Sequence, residues 1–192
     1  MMERMVKGLT TLLLCAMVLA CPSCDSVESS SQAGRTYYNR YNIHYYQKEV
    51  NVASYANWTD CPGHGFLPYN TELKLGTWGR GFKLVAVDSG TEVLFEFRSA
   101  NMGNMSVSEY IDLIMSPAPV SYEGLNAQDE EGIKAGKAIK GMSKQGVMIA
   151  LGYPAMHRTP STDSNRWIYW RNRFMTRVVE FDESGKVVSI NP

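Results

Sequence analysis

Two groups of side chains in this 192-residue sequence have types and spacings that suggest chemistry. The first is Cys61-Pro62-Gly63-His64-Gly65. A thiol three residues from an imidazole fits either an activated nucleophile or half of a metal site. A metal site wants three or four ligands, and the other histidines are His44 and His157. A glycine-rich turn with a cysteine able to form a disulfide is therefore the favoured reading. The sequence shows no Ser-His-Asp order, no phosphate-cradling glycine loop, no paired-cysteine zinc spacing and no convincing pair of catalytic carboxylates. It assigns no catalytic residue, no metal ligand and no cofactor. The second group lies at residues 158–177, where Arg158, Arg166, Arg171, Arg173 and Arg177 face a single acid, Asp163. Such an excess suits anionic lipid headgroups or an acidic partner, or else a set of solvated strand faces. Trp170, on the opposite strand face from Trp167 and Tyr169, joins the arginines as a surface candidate.

A third feature would carry a covalent group. Residues 1–20 read as a basic start, an apolar run from Leu9 to Ala20 and a small-residue cut site before Cys21. That is an export leader, and its apolar run is too short to span a bilayer. Val18-Leu19-Ala20-Cys21 suits ordinary signal peptidase and also resembles a lipobox, which makes Cys21 the expected lipid-attachment site of a bacterial envelope protein. Pro22 in place of an aspartate after that cysteine points to the outer membrane, facing the periplasm. Loss of residues 1–20 removes Glu3, Arg4 and Lys7 and turns a formal net charge of zero into minus one. No strong overall field then draws the chain to nucleic acid. Cys24 and Cys61 remain either as a disulfide or as two thiols, since sequence does not give their separation.

The elements that must position these residues follow from periodicity. Residues 21–36 are serine-rich and read as a flexible tether. An aromatic run at 37–46 and strand patterns at 50–55, 71–75, 82–87 and 91–97 predict a small β-rich unit, either SH3-like or a twisted sheet. Val107, Tyr110, Ile111 and Ile114 fall at helical spacing behind Ser106 or Ser108 as cap. Ser116-Pro117-Ala118-Pro119 then breaks the pattern and places a boundary, giving a β-rich domain at 37–120 and a second at 121–192. The second opens with Gln128 and the acidic residues 129–131, suited to a helix N-terminus, and a helix running to Ile139. A clearer helix starts at Ser143 and stops at Gly152 and Pro154. Strand patterns at 166–170, 174–181 and 186–190 complete an α+β unit of two helices on a three-stranded antiparallel sheet.

The ordered string Gly141-Met142-Ser143, Leu151-Gly152-Tyr153-Pro154, Trp167-Ile168-Tyr169 and Phe181-Asp182-Glu183-Ser184-Gly185 resembles the SmpA/OmlA (BamE-like) family of outer-membrane lipoproteins. The resemblance covers the last third of the chain. It implies a non-enzymatic scaffold or accessory in outer-membrane protein assembly, with barrel-assembly components and anionic headgroups as partners. A different class, a periplasmic ligand-binding or enzyme-inhibitor protein that holds a peptide or glycan through its β-rich unit, is the alternative. Family members often carry Gln or Glu just before the helix valine, a position that can complete a capping box. Here that position is Gly146.

Overall fold

The computed structural model describes residues 32–47, 49–58, 63–172 and 174–191. The leader, Cys21, Cys24, Cys61 and Arg173 lie outside the described residues. The fold is α+β. Strands β1 (Thr36–Asn39), β2 (Ile43–Tyr46), β3 (Val52–Ser54), β4 (His64–Leu67), β5 (Glu72–Trp78), β6 (Gly81–Ala86), β7 (Glu92–Glu96) and β8 (Met115–Ser116) make one mixed sheet. Its order is β4-β2-β3-β7-β6-β5-β1-β8, with β3 and β7 parallel. Of the two expected forms, the β-rich unit takes the sheet and not an SH3-like barrel. The expected tether also ends sooner than residue 36. Gln32 donates to the Asp112 carboxylate at 2.7 Å, and the Gly34 and Leu75 backbones join residues 34–35 to β5.

Alternation explains the centre of this sheet. Leu73 and Leu75 of β5, Phe82 and Leu84 of β6, and Val93 and Phe95 of β7 point inward, with Leu75 opposite Leu84 and Phe82 opposite Phe95. The Phe82 and Phe95 rings stack at 4.7 Å. Helix α1 (Val107–Ile114) covers this face. Ser106 accepts from the Glu109 amide while Glu109 reaches back to the Ser106 amide, so both ends of a capping box are made. The helix then buries Val107, Tyr110, Ile111 and Ile114.

The aromatic run at 37–46 does not form one strand. It breaks at residues 40–42 because Asn39, fully buried, donates its side-chain amide to the Tyr41 and Pro68 carbonyls at 2.7 and 2.8 Å. This break sends β1 to one flank of the sheet and β2 to the other.

A second core joins α2 (Ala127–Ala135), α3 (Lys144–Leu151), β9 (Arg166–Trp170), β10 (Thr176–Phe181) and β11 (Val187–Asn191). The strands form an antiparallel sheet in the order β11-β10-β9. Ile133, Val147, Leu151, Trp167, Tyr169, Val179, Phe181 and Val187 pack there. Helix α2 ends a turn before the expected Ile139, because Gly136 takes a left-handed φ of 62° and its amide bonds back into the last turn.

One carboxylate organises both helix starts. Asp129, fully buried, closes the capping box of α2 by accepting from the Asn126 amide at 3.0 Å. It also accepts from the Ser143 amide at 2.7 Å and from the Ser143 hydroxyl at 3.0 Å. Ser143 in turn caps α3 by accepting from the Gly146 amide. The two N-termini sit so close that a Cβ at residue 146 would collide with the Asp129 carboxylate. The glycine at 146 thus has a local cause: Asp129 fills the space that a side chain would take.

The last turn of α3 meets β2. A helix leaves its final carbonyls without intrahelical partners, and here the first unit supplies them. The Asn42 amide donates to the Ile149 carbonyl at 2.8 Å, and the Asn42 side chain donates to the carbonyls of Ile133 and Ala150. His44 adds a bond to the Ala150 carbonyl at 2.6 Å. Nearby, the Tyr122 hydroxyl donates to the Arg40 carbonyl and Asn57 donates to the Tyr153 carbonyl. Gly152, with φ of 78°, lies against Tyr41 and Asn57 where a side chain would clash.

Candidate functional site

The histidine of the Cys61 to Gly65 cluster does find a second imidazole. His64 of β4 lies beside His44 of β2, with His64 Nε2 3.1 Å from His44 Nδ1 and near-parallel rings. The tautomers follow from the neighbours. His44 Nε2 faces a carbonyl and must donate, so its Nδ1 is the acceptor and His64 Nε2 carries the proton between the rings. His44 is buried, and burial pulls its pKa down to about 3 against the raising effect of the Ala150 bond. A neutral imidazole with both nitrogens occupied is a fastener between β2 and α3. Among the described residues no three His, Cys, Asp or Glu side chains are grouped to hold a metal ion. Cys61 lies outside the described residues.

The arginine-rich segment occupies the β9–β10 hairpin and the loop before it. Arg158 and Arg166 are exposed, whereas Arg171 and Arg177 are partly covered. Trp170 sits on the strand face away from the Trp167 and Tyr169 core. Two of these residues meet directly: the Arg158 guanidinium lies 5.7 Å from the centre of the Trp170 ring. At the hairpin tip Phe174 is 91% exposed and Met175 is 50% exposed. The Asn172 side chain accepts from the Phe174 and Met175 amides, so these apolar groups stand on a structured turn.

Beside that hairpin is a cleft of about 550 Å³ between the two units. One wall is a row of rings. Tyr55 meets His157 edge-on at 6.5 Å, and His157 stacks on Trp170 at 6.3 Å. The Tyr55 hydroxyl is held by the Asn101 side chain, and the Asn101 carbonyl accepts from the His157 amide at 3.2 Å. Trp58 and Phe174 complete the aromatic lining. The polar lining comes from Arg80 at the β5–β6 turn and from Glu96 and Arg98 at the end of β7. Arg98 and Glu96 pair at 3.4 Å, with the Arg98 side chain 64% exposed. Arg80 rests against the Trp78 ring at 4.9 Å.

Sequence reasoning singled out Trp170 and Arg158 but not Tyr55, Trp58, Arg80, Glu96 or Arg98. Trp58 carried the one usable signal, a large aromatic in a polar loop outside any alternating pattern. The cleft assembles from five separate stretches of chain, and no local spacing encodes that. No family model, curated protein or solved structure matches this chain.

Proposed function

We propose that this is an exported, non-enzymatic accessory protein of the bacterial envelope, held to the outer membrane by lipid on Cys21 and docking a partner through its β9–β10 hairpin. The leader, the Cys21 site and the serine-rich stretch after it support the tethered location. The order α2, α3, β9, β10, β11 around one core supports the SmpA/OmlA resemblance, and with it a role beside barrel-assembly components. Among the described residues no helix is long and apolar enough to cross a membrane.

The observation that carries the docking role is the hairpin tip. A phenylalanine almost wholly in water stabilises nothing in the monomer, and burying it in a partner would contribute about 2 kcal/mol. Arg158 and Arg166, exposed at the hairpin and the loop before it, give an acidic partner surface its counter-charge. A photocrosslinking phenylalanine analogue at Phe174 in living cells is expected to trap one envelope protein in a band of defined mass. The same analogue at Val188, exposed on β11, is the control. No band at 174, the same bands from both positions, or bands containing only lipid would sink the docking role.

A further inference from the structure

We infer that the cleft between β7 and the β9–β10 hairpin binds an anionic saccharide, a hydroxyl-rich sugar bearing a carboxylate. This inference does not depend on which protein docks at the hairpin tip.

The row formed by Tyr55, His157 and Trp170 is a platform, fixed from behind by Asn101 and flanked by Arg158 over Trp170. Rings held this way line the cleft with apolar surface already in place, so little ordering cost falls on binding. The C–H face of a pyranose matches such a surface and leaves its hydroxyls at the rim. Charge selects further. Arg80 and Arg98 line the same cleft, Arg98 keeping its side chain 64% exposed while paired with Glu96 at 3.4 Å. Guanidinium groups match the planar carboxylate of a uronic acid in two-pronged fashion. Glu96 sets the remaining condition, since a carboxylate beside the anion site disfavours a densely charged phosphate ligand and accepts well from hydroxyl donors. A volume near 550 Å³ falls in the range of small-ligand sites.

An extended peptide is disfavoured by the strands themselves. β3 lies between β2 and β7, and β7 between β3 and β6, so neither offers a free edge to the cleft. On the outer edge of β9, the Ile168 amide donates to the Thr159 hydroxyl and the Arg166 amide to the Ser164 hydroxyl. Main-chain pairing, the main source of affinity in strand addition, is therefore largely blocked.

The test is a titration of the purified full-length protein, in a detergent without a sugar headgroup, followed by tryptophan fluorescence and melting temperature. The probes are trigalacturonate, the neutral trisaccharide maltotriose and triglutamate. Trigalacturonate is expected to change the fluorescence of the cleft tryptophans and to raise the melting temperature. Maltotriose and triglutamate are expected to bind at least tenfold more weakly. Trp170→Ala and Arg98→Gln are each expected to weaken trigalacturonate at least tenfold, and Trp170→Phe to restore most of the affinity lost in Trp170→Ala. Arg98 is largely in solvent, so Arg98→Gln folds normally and reports on binding even where Trp170→Ala unfolds. Absence of trigalacturonate binding, equal affinity for either other probe, or unchanged affinity in Arg98→Gln overturns the inference.

Discussion

Asp129→Ala is expected to lower the free energy of unfolding by about 3 to 5 kcal/mol, a large share of the stability of a domain this size. The carboxylate accepts three bonds from Asn126 and Ser143, and all of them lie at helix N-termini where negative charge is favoured. Alanine leaves two partly buried amides and a hydroxyl without acceptors and removes the clamp between α2 and α3. Asp129→Asn should lose roughly half as much, because one oxygen remains while the new amide faces a donor. Urea denaturation of the three proteins measures this. A loss below about 1 kcal/mol for alanine would mean that the helices are set by apolar packing alone. Gly146→Ala should fail for the same reason from the other side, since its methyl group needs the space held by Asp129.

Acid should weaken the fold at a pH where carboxylates are still ionised. The pKa of His44 falls from about 6.5 to about 3 on folding, so the unfolded chain binds the extra proton. Stability from this group is complete above pH 6.5 and is lost as the pH falls from there toward 3. The expected loss between pH 8 and pH 5 is about 2 kcal/mol. His64, Phe66, Gly136 and the Ala150 carbonyl pack on His44, and none of these is an acid that would hold an imidazolium. Glu109 and Asp182, both depressed by hydrogen bonds to their carboxylates, act in the same direction only at lower pH. His44→Gln keeps a donor for Ala150 and cannot titrate. Its stability should vary less between pH 8 and pH 5 than that of the wild type. An identical slope in the two proteins would place the acid sensitivity elsewhere.

Much of the fold is local and was legible for that reason. Sequence narrows the α1 cap to Ser106 or Ser108, and the α3 boundaries are written in Ser143 and Gly152. The inward positions of β5, β6 and β7 follow from simple alternation. What was hidden depends on contacts between distant residues. The parallel pairing of β3 with β7 needs two strands some forty residues apart to lie side by side, and nothing in either short segment encodes a partner. The split of the aromatic run rests on Asn39 finding carbonyls near residue 68. The role of Asp129 at α3 and the meeting of His44 with His64 are of the same kind. Sequence read the acidic start of α2 as a dipole effect, whereas the structure uses one of those acids as a bolt between helices. The cleft was the least legible feature, because its rings come from both units and its charges from turns and strand ends of the first.

Docking of a protein partner at a membrane is the role proposed for this chain. Its most direct test is purification of the tagged protein from mild-detergent membranes, with Cys21→Ala as control and mass spectrometry of what co-elutes. A defined set of outer-membrane assembly proteins is expected to co-purify with the native protein and to be lost from the control. Recovery of the protein without partners, or of the same partners from Cys21→Ala, would contradict that role.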